Sequence, residues 1–176
     1  PPNGFDVSGD FRLRYESNSS NGPTPAWDRG VLRARLAAGF KPSDSIKLGA
    51  RLVTGDLGNP RSSDTSISNF ANDLEVSLDQ VYVSYQNQSL FLTGGKFAKP
   101  FSSTELVWDG DVNPQGMGGH IDFLETDTWS SRISGIYFLI DENNLGGDSN
   151  MLGAQLSASL RQMDDWSLSV HASYFD

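Results

Sequence analysis

Residues 5–16 read Phe5-Asp6-Val7-Ser8-Gly9-Asp10-Phe11-Arg12-Leu13-Arg14-Tyr15-Glu16. Phe5, Val7, Gly9, Phe11, Leu13 and Tyr15 fall on one face, and the six charged or polar residues between them fall on the other. A period of two is that of a β-strand, here with one apolar and one highly charged face. Leu32, Ala34, Leu36, Ala38 and Phe40 alternate in the same way with Arg33 and Arg35, and Ile46, Leu48, Ala50 and Leu52 with Lys47, Gly49 and Arg51.

The pattern continues to the last residues. Strands are expected over Leu74–Tyr85, Leu90–Phe97, around Met117–Phe123, over Ser131–Ile140, around Leu152–Arg161 and over Trp166–Phe175. In the first of these the alternation changes phase between Leu78 and Val81, as a β-bulge would produce. The Ser131–Ile140 strand is apolar on both faces through Ile136-Tyr137-Phe138-Leu139-Ile140. No segment has helical periodicity, so the chain is all-β, with about nine strands legible from the alternation.

The connections alternate long and short. Polar stretches at 17–28, 55–72, 98–115 and 141–150 alternate with breaks at 41–45, 86–89, 126–128 and 162–165. Strands of about 10 residues, tilted near 45°, span roughly 23 Å, the height of the apolar band of a membrane β-barrel with short turns at one rim and long loops at the other. Phe5, Phe40, Tyr85, Phe91, Trp129 and Trp166 all fall at the short-turn end, which suits an aromatic girdle at a membrane–water interface. The small residues on the apolar faces, such as Ala34, Ala50 and Ala154, would pack a void-rich core but are harmless against lipid.

Composition agrees by exclusion. A net charge of -9 argues against a nucleic-acid partner. There is no cysteine, so disulfides and thiolate metal sites are out. No apolar run approaches the roughly 20 residues of a membrane helix, which excludes a helical membrane protein but not a barrel.

In a barrel the charged faces line the lumen. Arg12, Arg14, Arg33, Arg35, Lys47 and Arg51 share one face of three consecutive strands, and Lys96 joins this basic set. Pairing the second and third strands through their short turn is expected to set Arg35 roughly opposite Arg51. Like charges so placed need compensation, from Asp10, from an acidic loop folded over them, or from a transported anion. The 98–115 loop supplies acids in Glu105, Asp109 and Asp111. Its apolar residues (Phe97, Phe101, Leu106, Val107, Trp108) need a surface to cover, for which the doubly apolar Ser131–Ile140 strand is the candidate. Acids facing a basic ladder across an aqueous constriction would set a transverse field that selects solutes by charge.

Other chemistry is thinly represented. Asp109-Gly110-Asp111-Val112-Asn113 mimics the start of a calcium loop, but Pro114 stands where glycine is required and His120 where the final glutamate belongs. His120 and His171 lack metal-ligand spacing. No nucleophile elbow or phosphate-binding glycine loop occurs, so neither enzyme activity nor a cofactor is expected. The competing reading is a soluble or surface-exposed all-β binding module, taking carbohydrate through Trp27, Trp108, Trp129 or Trp166, or a protein partner.

Several short motifs resemble one family. They are Gly9-Asp10-Phe11-Arg12-Leu13-Arg14-Tyr15-Glu16, Arg33-Ala34-Arg35-Leu36, Leu52-Val53-Thr54-Gly55 and Leu78-Asp79-Gln80-Val81-Tyr82-Val83. Gly95-Lys96 with Pro100-Phe101, and Trp108-Asp109-Gly110-Asp111-Val112-Asn113-Pro114, complete the set. In order and spacing they are similar to Gram-negative outer-membrane porins, in particular the group called putative porins. The resemblance implies an antiparallel transmembrane barrel of about 16 strands, often a homotrimer in the outer-membrane bilayer. It implies passive diffusion of small hydrophilic solutes or ions, with the third long loop, 98–115, folded inward as the constriction. Residues 1–176 would then be an amino-terminal part of such a barrel, since the count is odd and the terminal aromatic is missing.

Overall fold

The computed structural model describes residues 4–19, 22, 25–56, 58–59, 61–67, 73–141, 147, 149–161 and 166–176. The break expected at 162–165 and most of the 141–150 connection lie outside these residues. Among the described residues ten strands form: β1 (Phe5–Asn18), β2 (Trp27–Ser43), β3 (Ile46–Thr54), β4 (Thr65–Ser66), β5 (Val76–Gln86), β6 (Leu90–Lys96), β7 (Gln115–Glu125), β8 (Trp129–Asp141), β9 (Ser149–Arg161) and β10 (Ser167–Phe175). No helix occurs among the described residues.

The nine long strands make one antiparallel meander, each beside its neighbour in sequence. The two-residue β4 pairs with Val31 and Leu32 of β2 instead. Strand β4 sits in a stretch read from sequence as loop; two residues are too few to show a period. Among the described residues β1 pairs only with β2 and β10 only with β9, so the sheet is open.

Two details of register depart from the expectation. Strand β2 continues past Lys41 and Pro42, where its register against β3 shifts, and only Asp44-Ser45 turns. The partner of Arg35 is therefore Val53, and Arg51 lies opposite Ala37. The like charges that do face each other are Arg12 and Arg33, on β1 and β2. The phase change in β5 is a bulge: Arg51 pairs with Gln80 and Leu52 with Leu78, leaving Asp79 as the extra residue.

Burial is inverted relative to a soluble sandwich. The buried hydrophobic residues among those described are Val31, Val53, Phe97, Phe101, Ile136 and Phe138. By strand parity the four on strands belong to the charged face. Phe97, Phe101, Ile136 and Phe138 form one cluster with Tyr82, Trp108 and Met151 packed against it. The continuous apolar face, by contrast, is bare: Leu36, Leu52, Val81, Leu92, Ile133 and Leu156 are each 44–55% exposed.

Candidate functional site

The basic residues on β1–β3 are held in an alternating ionic wall. Asp10 accepts from both Arg33 and Arg35, with Arg35 Nε to Asp10 Oδ2 at 2.6 Å and Arg33 Nη2 to Asp10 Oδ1 at 3.0 Å. Asp64, from the connection after β3, receives Arg12 at 2.6 Å and Arg14 at 2.9 Å. Glu16 takes Arg14 and Arg29, Asp6 lies 3.7 Å from Lys47, and Asp79 pairs with Arg51. Partly exposed pairs of this kind contribute about 0–1 kcal/mol each. Their effect is to let Arg12 and Arg33 stand opposite each other at all.

Compensation thus comes from acids on the strands themselves (Asp6, Asp10, Glu16 and Asp79), from Asp64 of the second long connection and from Asp111 of the third. Asp111 Oδ1 lies 3.5 Å from Arg35 Nη1. The other two acids of that loop turn inward on the loop itself. Asp109 Oδ1 accepts the Asp111 N–H at 2.9 Å, and Glu105 Oε2 the Gly110 N–H at 3.2 Å. Lys96 is also drawn off the ladder, its Nζ donating to the Asn113 carbonyl at 2.8 Å.

The 97–114 loop lies across the charged face. Phe97 N–H donates to the Pro114 carbonyl at 3.1 Å and closes its base. Its apolar underside meets β8, the strand with two apolar faces: the Phe138 ring centroid is 6.1 Å from that of Phe97 and 5.8 Å from that of Trp108. Phe101 reaches Phe175 of β10 at 5.8 Å. A Cβ on Gly118 would come within 3.2 Å of the Pro100 ring, so the loop packs closely over this glycine. Lys99 sits 5.5 Å above the Trp108 ring, and burial lowers its pKa below the ordinary lysine value, with Glu105 opposing.

Polar anchors fix the loop at both shoulders. The Asn113 side chain accepts from Gln80 Nε2 at 2.7 Å and donates to Asp79 Oδ1 at 2.8 Å. Ser102 donates its N–H to Gln155 Oε1 at 3.0 Å and accepts from Gln155 Nε2 at 2.8 Å. Asp64 and Gln155 do not stand out in the sequence, and Asn113 appears there only within the Trp108–Pro114 motif, with nothing to mark its amide as an anchor. The one signal was the phase change in β5, which puts Asp79 beside Gln80 on the face the loop covers.

The aromatics divide. Phe5, Phe40, Tyr85, Trp129 and Trp166 are exposed at the short-turn end. Phe91 is a correction: it pairs with His120 across the β6–β7 ladder and its ring stacks on the imidazole at 5.0 Å, on the charged face. The parity of Leu90-Phe91-Leu92, apolar at three consecutive positions, concealed this. His171 Nδ1 lies 2.9 Å from Ser157 Oγ. The tryptophans do not converge: Trp27 lies under Arg29 at the loop end of β2, Trp108 is packed on Phe138, and Trp129 and Trp166 stand at the opposite end.

In comparison with known proteins, the model of a family described as "Putative porin" matches residues 23–176. No protein of curated function matches the chain.

Proposed function

The chain belongs to the putative porin family, and from that premise we propose that its sheet is an arc of a transmembrane β-barrel in a bacterial outer membrane. The barrel encloses a water-filled channel for passive diffusion of small hydrophilic solutes and ions. The observation that carries this reading is the inverted burial. Among the described residues the buried apolar side chains on strands lie on the charged face, where the 97–114 loop covers Ile136 and Phe138, whereas the opposite face presents an unbroken apolar surface. A soluble monomer rarely exposes such a surface; lipid covers it without further packing.

The charged face then lines the lumen, and the 98–115 loop narrows it. Arg33, Arg35 and Asp10, with Asp111 of the loop drawn onto Arg35, form one charged wall of the narrow zone. Paired charges at a constriction order water and favour solutes by charge and dipole. The exposed ring of Phe5, Phe40, Tyr85, Trp129 and Trp166 marks the membrane boundary at the short-turn rim. Assembly into a homotrimer in the bilayer belongs to the same reading, supported by the family alone.

The test is reconstitution of the full-length protein in planar bilayers. Under a salt gradient, Arg33→Gln/Arg35→Gln removes two positive charges and leaves Asp10 and Asp111 without partners. The cation preference is expected to rise several-fold. An unchanged reversal potential would rule out these arginines as pore-lining groups. A protein that stays monomeric and soluble without detergent would contradict the barrel altogether and favour the binding module.

A further inference from the structure

We propose that Asn113 is the positioning residue that sets ion selectivity, by locking Asp111 onto Arg35, and that Gln155 fixes the opposite shoulder of the same loop. The inference rests on the pore reading above and adds to it the device that holds the constriction in place.

Asn113 is 5% exposed and Gln80 8%. A buried amide must find partners for one carbonyl and one NH2 group, and Asn113 finds all of them. Its Oδ1 accepts from Gln80. Its Nδ2 donates to Asp79 and, at 3.1 Å, to the Asp111 backbone carbonyl. The last bond is the telling one, because it ties the Asp111 backbone to an anchor on β5. Asp79 is itself held by Arg51 of β3. The connected path therefore runs Arg51, Asp79, Asn113, Asp111, Arg35, leaving the wall at β3 and returning to it at β2.

The β5 bulge is what makes the anchor possible. Residues 79 and 80 would point to opposite faces of a regular strand. The inserted residue brings both side chains to the charged face, where one supplies the acceptor and the other the donor that an asparagine amide needs. The Asp111–Arg35 contact is half-exposed and 3.5 Å long, too weak to hold a loop by itself. At the far shoulder, Gln155 (2% exposed) bonds both backbone groups of Ser102 and, through Nε2, Ser173 Oγ at 2.7 Å. That double bond imitates a strand partner and leaves no contact with Asp111.

The two amides thus have separable effects. Asn113→Leu keeps size and net charge but breaks the lock. Its reversal potential under a salt gradient is expected to move in the same direction as that of Asp111→Asn, toward anions. The permeability ratio should change roughly two- to five-fold, the scale set by a partly exposed ion pair. Gln80→Leu should give a smaller shift the same way, and Gln80→Leu/Asn113→Leu no more than Asn113→Leu alone, because the two act as one unit. Gln155→Leu should increase current fluctuations and leave the reversal potential in place. A conducting Asn113→Leu channel with wild-type selectivity overturns the inference. Should that variant fail to insert, Gln80→Leu gives the same reading: a shift supports the lock and none overturns it. A wild type without conductance overturns the pore reading itself, and the lock with it.

Discussion

Leu36→Arg is expected to cost about 2–4 kcal/mol of stability in lipid, while Ser8→Arg, at the same depth on the other face, changes it by less than about 1 kcal/mol. Leu36 pairs with Gly9 of β1 and Leu52 of β3, and Ser8 pairs with Ala37. The two positions therefore stand one residue apart along the strand direction. Leu36 is 55% exposed on the apolar face, where a guanidinium near the bilayer centre would have neither water nor an acid within reach. On the pore reading, at Ser8 it would enter the aqueous lumen, beside a face that already accommodates Arg35 one position from Leu36. Unfolding by guanidinium in lipid vesicles measures both. Equal costs at the two positions would mean that the two faces meet the same solvent.

The second large effect is expected at the base of the loop. Gly95 and Gly116 face each other across the β6–β7 ladder, with φ of +119° and +147°. A Cβ at Gly116 would lie 2.1 Å from the Tyr137 carbonyl oxygen, and one at Gly95 2.3 Å from that of Val81. Both obstacles are backbone, so neither can rotate away. Alanine at either position is strained by φ and blocked by its neighbour, and is expected to lower stability by about 1–3 kcal/mol. Gly135→Ala on β8 is the control, since its Cβ would meet nothing within 4 Å. Because Gly95 and Gly116 flank the loop, the alanine variants should also show noisier conductance, whereas Gly135→Ala should not. Thermal unfolding and single-channel recording report the two consequences separately. Gly116→Ala matching Gly135→Ala in both would contradict the account.

The fold was legible because period-two alternation is a local property. Each long strand from Phe5 to Phe175 could be read from its own residues, and the bulge announced itself as a broken phase. The length alternation of the connections then placed all the short turns at one end. The sequence did not reveal register at a turn, because Pro42 reads as a breaker although β2 passes through it; this misplaced Arg51 against Arg35.

The site was legible in part. That a basic face needed acids followed from charge alone, and Asp10 and Asp111 were named for it. Which of Glu105, Asp109 and Asp111 reaches the wall depends on loop conformation, where side chains compete for nearby backbone N–H groups, and two of the three are taken up that way. Asp64 lies in a polar stretch where nothing distinguishes it from its neighbours. Asn113 and Gln155 are uncharged, and their importance lies wholly in being buried opposite matching partners, a tertiary fact. Phe91 shows the converse, an apolar residue whose strand position puts it on the charged face, where its ring stacks on His120.

On the pore reading, the 98–115 loop stands in the path of ions. Residues 1–176 contain no cysteine, so Asp111→Cys places a thiol at the contact with Arg35 that the parent protein, treated in parallel, lacks there. The decisive measurement is the single-channel conductance of that full-length variant in a planar bilayer, before and after addition of a bulky, cationic, thiol-specific methanethiosulfonate reagent. A stepwise, persistent fall in conductance upon modification is the expected result. Modification confirmed by mass with conductance unchanged would place the loop outside the pore and contradict the account.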